Sequence, residues 1–357
     1  MSSTSALLNL LGIRFPLIQA PMAGVSTPAL AAAVSNAGGL GSLGLGASSV
    51  ADARRQIEQT RRLTDRPFNV NVFCHRPARR DAAIEIAWLQ YLQPLFAGQG
   101  ALPPVKLEEI YLSFNHNEAM QDLLVELRPA VVSFHFGLPP VNVLERLHSA
   151  GVITLASATR LEEAQAIAAA GVHALVAQGM EAGGHRGMFD PGAHDPQLGT
   201  AELVQLLVNE VRLPVIAAGG IMDGHDMQAM LARGAAAVQL GTAFVACPES
   251  AASEEYRRRL LSAGAGQTRL TRTLSGRPAR GLLNRFIAHG EAPGAPQTPD
   301  YPVAYDAAKR LHGAAVALGC HDFAAHWAGT GVARARAQPA AGLVAGLLQE
   351  AGLAYKS

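Results

Sequence analysis

A parallel β/α barrel is the fold class this sequence predicts, and three observations predict it. Short apolar runs recur along the 357 residues. Ala/Leu-rich helical stretches lie between most of them. A glycine stands just past several of those helices, at Gly38, Gly151, Gly171 and Gly234. Uninterrupted apolar runs are what strands buried on both faces look like. Glycine after a helix is its usual C-terminal stop. Regular alternation of the two elements marks a parallel sheet with helices outside.

Eight candidate strands follow in order: Pro16–Ala20, Gly39–Leu43, Phe68–Val72, Ala130–Phe134, Val152–Ala156, Ala174–Ala177, Pro214–Ala218 and Ala237–Leu240. Helices are expected between them at Pro28–Asn36, Val50–Arg62, Val141–Ala150, Arg160–Ala170, Ala201–Val211 and His225–Arg233. Two more, about Ala304–Leu318 and Ala340–Glu350, are expected to close the barrel. A count of eight strands points to closure as a (β/α)8, or TIM-type, barrel. Two intervals are too long for the plain repeat. We assign residues 75–115 and 244–312 to insertions forming a helical, substrate-side cap. The barrel takes 1–74, 116–243 and 313–357.

The composition is 49% hydrophobic and only 16% charged, enough for a large core. The formal net charge is +1, with no basic stripe to favour nucleic acid. Three cysteines (Cys74, Cys247, Cys320) fit a reducing compartment better than a disulfide framework. The first residues lack a signal-peptide pattern, and no apolar run reaches the ~18 residues of a membrane span. The expectation is a cytoplasmic enzyme with no membrane partner; a homodimer is compatible with it.

Gly39-Leu-Gly41-Ser-Leu-Gly44 matches the GxGxxG dinucleotide pattern. That fingerprint needs a strand before it and a helix after it. Here a helical stretch precedes it and the glycines straddle an apolar strand, so it reads as a glycine-rich second barrel strand.

Barrel chemistry sits just after each strand. Those positions hold Pro21-Met22-Ala23, Gly44, Asn71, His135, Ser157, Gln178, Gly219-Gly220 and Gly241-Thr242. They are glycines and uncharged hydrogen-bonding groups, without an ordered set of carboxylates. Such a list suits a large, flat, neutral ring. The glycines after the seventh and eighth strands fit the usual barrel phosphate site, where backbone N–H groups converge on an anion; tight turns alone are the alternative. Gln178 to Gly187 (QGMEAGGHRG) is too rich in glycine for a helix and too polar for a core. His185 within it has the chemistry to exchange a proton near neutral pH, or merely to cap a loop. Glu181, His185, His194 and Asp195 follow no metal-ligand spacing. His135 reads equally as a site residue or a satisfied core histidine. Tyr301, Tyr305 and Lys309 fall four residues apart and would share one helix face. With Tyr111 and Tyr256 they would make a polar, cationic wall, or an ordinary solvated face.

Six motifs in this order resemble the nitronate monooxygenases, formerly called 2-nitropropane dioxygenases. They are Gln19 to Gly24 (QAPMAG), Phe68 to Phe73 (FNVNVF), Val132 to Gly137 (VSFHFG), Gln178 to Gly187, Ala218 to Ile221 (AGGI) and Gln239 to Thr242 (QLGT). The bacterial class acting on propionate 3-nitronate is the most similar. The resemblance implies an FMN-dependent barrel enzyme oxidising anionic nitronates with O2 to a carbonyl compound and nitrite, without NAD(P)H. By it, Met22, Ala23, Asn71, Gln178, Gly183, Gly219, Gly220, Gln239, Leu240, Gly241 and Thr242 contact FMN. His185 and His135 are the catalytic candidates. Tyr111, His135, Tyr256, Tyr301, Tyr305 and Lys309 line the substrate side. Three alternatives stay open: an FMN- and NAD(P)H-dependent enoyl-acyl-carrier-protein or quinone reductase, a flavin-free sugar-phosphate lyase or isomerase, and a non-catalytic sensor of a phosphate ligand.

Overall fold

The computed structural model describes residues 3–353; the outermost limits of the expected barrel, 1–2 and 354–357, lie outside them. Eight parallel strands form one sheet: Leu17–Gln19, Gly41–Gly44, Phe68–Phe73, Val131–His135, Ile153–Ala158, Ala174–Gln178, Val215–Ala218 and Ala237–Leu240. The first strand pairs with the eighth in register Gln19↔Leu240. It meets the second through a single bridge, Ile18↔Leu40, so the barrel closes there by a short contact.

All eight expected strands are present, displaced by at most a residue or two at their ends. Their burial explains why they were legible: Val215–Ala218 and Ala174–Gln178 are buried along their whole length. The intervening helices also lie where the sequence predicts, for instance Pro28–Asn36, capped by the Thr27 hydroxyl with proline in its first turn. Gly151 and Gly171, with φ of 80° and 77°, end two others in the left-handed conformation. Gly41 explains the GxGxxG match. A Cβ there would lie 1.9 Å from the carbonyl oxygen of Ala31, so the glycine lets the preceding helix touch the strand.

Two helices outside the long intervals escaped the sequence reading, Ser3–Leu11 and Glu118–Leu127. Ser3–Leu11 buries Leu7 and Leu11 against Val131, Ala174 and Ala237, residues at the strand starts. It therefore covers the N-terminal end of the barrel. A larger cluster packs the helices onto the outer face of the sheet.

The two long intervals share a core of their own. Trp88, Leu92 and Phe96 of the helix Ala82–Ala97 pack with Phe286, Val303, Leu311 and Phe323. Val303–Val316, expected to help close the barrel, belongs to this second cluster instead, because its buried face meets Ala82–Ala97. Ala340–Glu350 does complete the outer layer, packing against Pro28–Asn36 and Gly224–Ala232. A three-stranded antiparallel sheet, Thr268–Thr271, Ala279–Leu282 and Gly184–His185, ties the second interval to the loop after the sixth barrel strand. Among the described residues, no helix is long and apolar enough to cross a membrane.

Candidate active site

The strand register builds a layer at the C-terminal end of the barrel. Gly44 pairs with Asn71 and Asn71 with Ser133; Gln178 pairs with Ala218, and Ala218 with Gln239. These residues floor a cavity of about 870 Å³. Met22, Ala23, Gly183, Gly219, Gly220, Gly241 and Thr242 are also on its wall, as the sequence predicts. Leu240 is not. It is 1% exposed and packed in the outer core, because side chains alternate along a strand and its neighbour Gln239 takes the inward position.

The floor is polar and uncharged. Asn71 donates to the carbonyl and hydroxyl oxygens of Ser133. Gln178 donates to the His185 carbonyl at 2.9 Å and accepts from the Gly187 N–H at 2.7 Å, which shapes the QGMEAGGHRG loop. At the opposite end of the wall, the N–H groups of Gly220, Ile221 and Gly241 have no acceptor among the described residues. Gly183 lies so close to Gly329 that a Cβ would come within 2.5 Å of the Gly329 nitrogen.

Two histidines meet at the centre. His135 has Nδ1 3.0 Å from the Ser157 hydroxyl and Nε2 3.2 Å from the His185 carbonyl. A carbonyl only accepts, so Nε2 carries the proton and Nδ1 accepts from Ser157. With both ring nitrogens engaged, His135 is not the donor to substrate that the sequence reading expects; it holds the His185 backbone. His185 bonds through Nε2 to the Ser275 hydroxyl at 2.9 Å, leaving Nδ1 for a ligand. Its ring packs against Trp327, Tyr301 and Phe136 at 5.1, 5.5 and 5.7 Å.

The substrate-side wall is partly as predicted. Tyr111, Tyr301, Tyr305 and Lys309 all line the cavity. Tyr301 precedes the helix Val303–Val316 rather than lying on it; only Tyr305 and Lys309 share that helix. The Tyr301 hydroxyl is buried without a protein partner. Burial pushes the Tyr301 phenol well up, and that of Tyr111 to about 12, so both remain proton donors. The Lys309 ammonium lies 5.0 Å from the Tyr111 ring centre and 5.8 Å from that of Tyr305, with no carboxylate within 4.0 Å among the described residues. Tyr256 also lines the cavity, but its hydroxyl is engaged. Its hydroxyl donates to the Trp327 carbonyl at 2.5 Å and its ring stacks on His326, so it positions the Trp327 segment.

Sequence reasoning missed Ser275, Trp327 and Gly329. Ser275 is 90 positions from His185, and nothing in the local pattern at Trp327 or Gly329 marks a site. The acidic residues near His185 serve the loop. Glu181 accepts from the Thr200 N–H and hydroxyl, and Asp195 pairs with Arg186.

Burial holds four imidazoles far below their usual range: His75, His135 and His326 near 4, and His185 near 3. Nearby charge reinforces it, Arg277 for His75 and His185 and Arg259 for His326. These groups are neutral when folded but take up protons below about pH 6.5 when unfolded. Folding stability is therefore lost as pH falls. Each such histidine contributes a slope of about 1.4 kcal/mol per pH unit between its two pKa values. Denaturant titrations at pH 7, 6 and 5 are expected to show steadily falling stability. A flat profile would remove the neutral-imidazole assignment.

Comparison with known proteins agrees with this geometry. The family model described as nitronate monooxygenase matches residues 4–350. A nitronate monooxygenase of Paraburkholderia phytofirmans is 59% identical over 345 residues, covering 97% of this chain and 94% of that one. One from Pseudomonas aeruginosa is 56% identical over 347 residues, covering 97% and 99%. Among solved structures, a nitroalkane oxidase from Streptomyces ansochromogenes superposes with a TM-score of 0.88 at 41% identity, covering 97% of this chain and 98% of its own. FabK from Thermotoga maritima superposes with a TM-score of 0.74 at 29% identity, covering 97% and 96%. With a family model and relatives of this identity spanning nearly its whole length, the chain is an oxidoreductase and belongs to the nitronate monooxygenase family.

Proposed function

We propose that this protein is an FMN-dependent enzyme that oxidises alkyl nitronates with O2 to a carbonyl compound and nitrite, and that its substrate carries a second anionic group, as propionate 3-nitronate does. One observation carries the substrate class. The cavity opposes a neutral amide floor to a wall of phenols and an ammonium with no carboxylate within 4.0 Å among the described residues. A nitronate bears its charge on the nitro oxygens and needs fixed donors to leave water.

The residues fit FMN. Free N–H groups at Gly220, Ile221 and Gly241 suit a phosphate, while Asn71, Gln178 and Gln239 suit the polar edge of a flat ring. When bound, the flavin supplies the electron transfer linking nitronate to dioxygen. The chain supplies position and protons. Tyr301 and Tyr111 donate to the anion, Lys309 pairs with a distal carboxylate, and the phenyl and indole rings around His185 exclude water. His185 Nδ1 accepts a proton when a neutral nitroalkane is the substrate, with Nε2 donating to Ser275.

The resemblance of the motifs leaves a second reading, an NAD(P)H-dependent reductase on the same barrel. One experiment separates them: nitrite release in air, without NAD(P)H, from propionate 3-nitronate and from propyl-2-nitronate. Nitrite from both, with the lower KM for the carboxylated substrate, is expected. No nitrite from either, with flavin bleaching on anaerobic addition of NADH, would replace the proposal by the reductase. Equal KM values would remove the role of Lys309 alone.

A further inference from the structure

Arg277 is the least conventional group near the cavity. Its side chain is 3% exposed, in the turn before the strand Ala279–Leu282. Among the described residues it has no carboxylate within 4.0 Å. Its guanidinium donates to the Met188 carbonyl at 2.7 Å, its Nε has no partner, and its carbon lies 4.2 Å from the centre of the Phe136 ring. Phe136 is itself held oddly. It is a bulky residue at φ 72°, a conformation that persists only where its surroundings impose it. The other neighbours of that ring include the site's own: His135 at 4.5 Å, Tyr301 at 5.4 Å, His185 at 5.7 Å and His75 at 6.4 Å. A buried, unpaired cation thus stands one aromatic ring away from the reacting centre.

We propose that Arg277 is a positioning residue of this site: its buried charge, laid on Phe136, keeps protons off the imidazoles beneath the substrate and leaves the pocket's unbalanced positive charge for an anionic ligand. The ligand half of the inference rests on the proposed function; the imidazole half does not. The groups facing Arg277 are few. His135, His185 and His75 stand on the Phe136 side with Tyr301. Arg272 adds like charge, and Glu163 and Asp190 act from farther off. Those two carboxylates are paired elsewhere, Glu163 with Arg160 at 3.6 Å and Asp190 with Arg76 at 3.7 Å. The backbone of Arg277 also bonds Ser275, the partner of His185, and a side-chain substitution leaves that link in place. One unit charge on the order of 9 Å away, at an effective dielectric of about 20, changes a protonation equilibrium about tenfold.

The test is the histidine ring-proton NMR titration of the purified flavoprotein. The His185 signal is identified by its loss in His185→Asn. The titration is carried down to about pH 3, and no His185 midpoint above pH ~5 is expected in the unsubstituted protein or in Arg277→Lys, which keeps the charge. Arg277→Gln keeps a donor for Met188 and loses the charge; its His185 midpoint is expected to rise by about one pH unit. Its KM for propionate 3-nitronate is expected to rise about tenfold with little change in kcat, and Arg277→Lys to restore it. Equal midpoints in Arg277→Gln and Arg277→Lys overturn the proposal. So does a midpoint near 6.5 in the unsubstituted protein, which decides even if a variant does not fold. Absence of nitrite from every nitronate removes the reaction instead, and the titration still judges Arg277.

Discussion

His185→Asn is expected to lower turnover of neutral nitroethane by about 10²–10⁴-fold, the usual contribution of a positioned general base. Turnover of ethyl nitronate, already deprotonated, is expected to fall by only about tenfold or less, since it needs no base. The substitution is clean for a structural reason. The two bonds that shape the loop at this residue, from Gln178 and His135, go to its backbone carbonyl rather than its ring. Asparagine keeps that carbonyl and offers Ser275 a polar partner. The measurement is kcat/KM for both substrates across pH, compared with the unsubstituted enzyme. Unchanged rates for both would end the proposal that His185 handles the proton. Equal losses for both would make it a ligand-positioning group instead.

Arg186→Met is expected to destabilise the fold by about 3–5 kcal/mol, the cost of leaving a buried charge without its partner. The Arg186 side chain is 1% exposed, and its fork meets both oxygens of Asp195, at 2.8 and 3.0 Å. A third bond reaches the Gln178 carbonyl at 2.8 Å, at the end of the sixth barrel strand. Burial works to raise the Asp195 pKa, yet the carboxyl stays below its ordinary range because Arg186 and the Gln197 N–H bond its charged form. Methionine fills the volume but leaves the half-buried Asp195 carboxylate and the Gln178 carbonyl without their partner. Arg186→Lys is expected to fall between, since an ammonium cannot reproduce the planar fork. Urea unfolding of the three proteins measures this. A midpoint in Arg186→Met equal to that of the parent would show that the pair adds nothing. The next residue back is His185, so activity is expected to fall with the ordering of the loop.

Legibility differed between the floor of the site and its roof. Gln178 was readable because it ends an apolar run, and Asn71 and Gln239 because each is an amide within the last residues of one, where a barrel puts its active end. Leu240 was misassigned because a motif is a string of residues, whereas a strand turns every second one away. His135 and Tyr256 both line the cavity, with their polar atoms already engaged. A sequence shows that a donor exists and not whether Ser157 or Trp327 has already taken it.

The sequence alone thus determined the eight strands, their order and the glycine loops that end them, because burial on two faces and helix termination leave local, periodic marks. Only the tertiary structure decided what stands over those loops. Gly184–His185 becomes a strand by pairing with Ala279–Leu282, some 95 residues on. Ser275 and Trp327 reach His185, and Arg277 reaches Phe136 beside it, through that same fold-back. Contacts between such distant segments depend on how two insertions pack together, and no period in the chain records that.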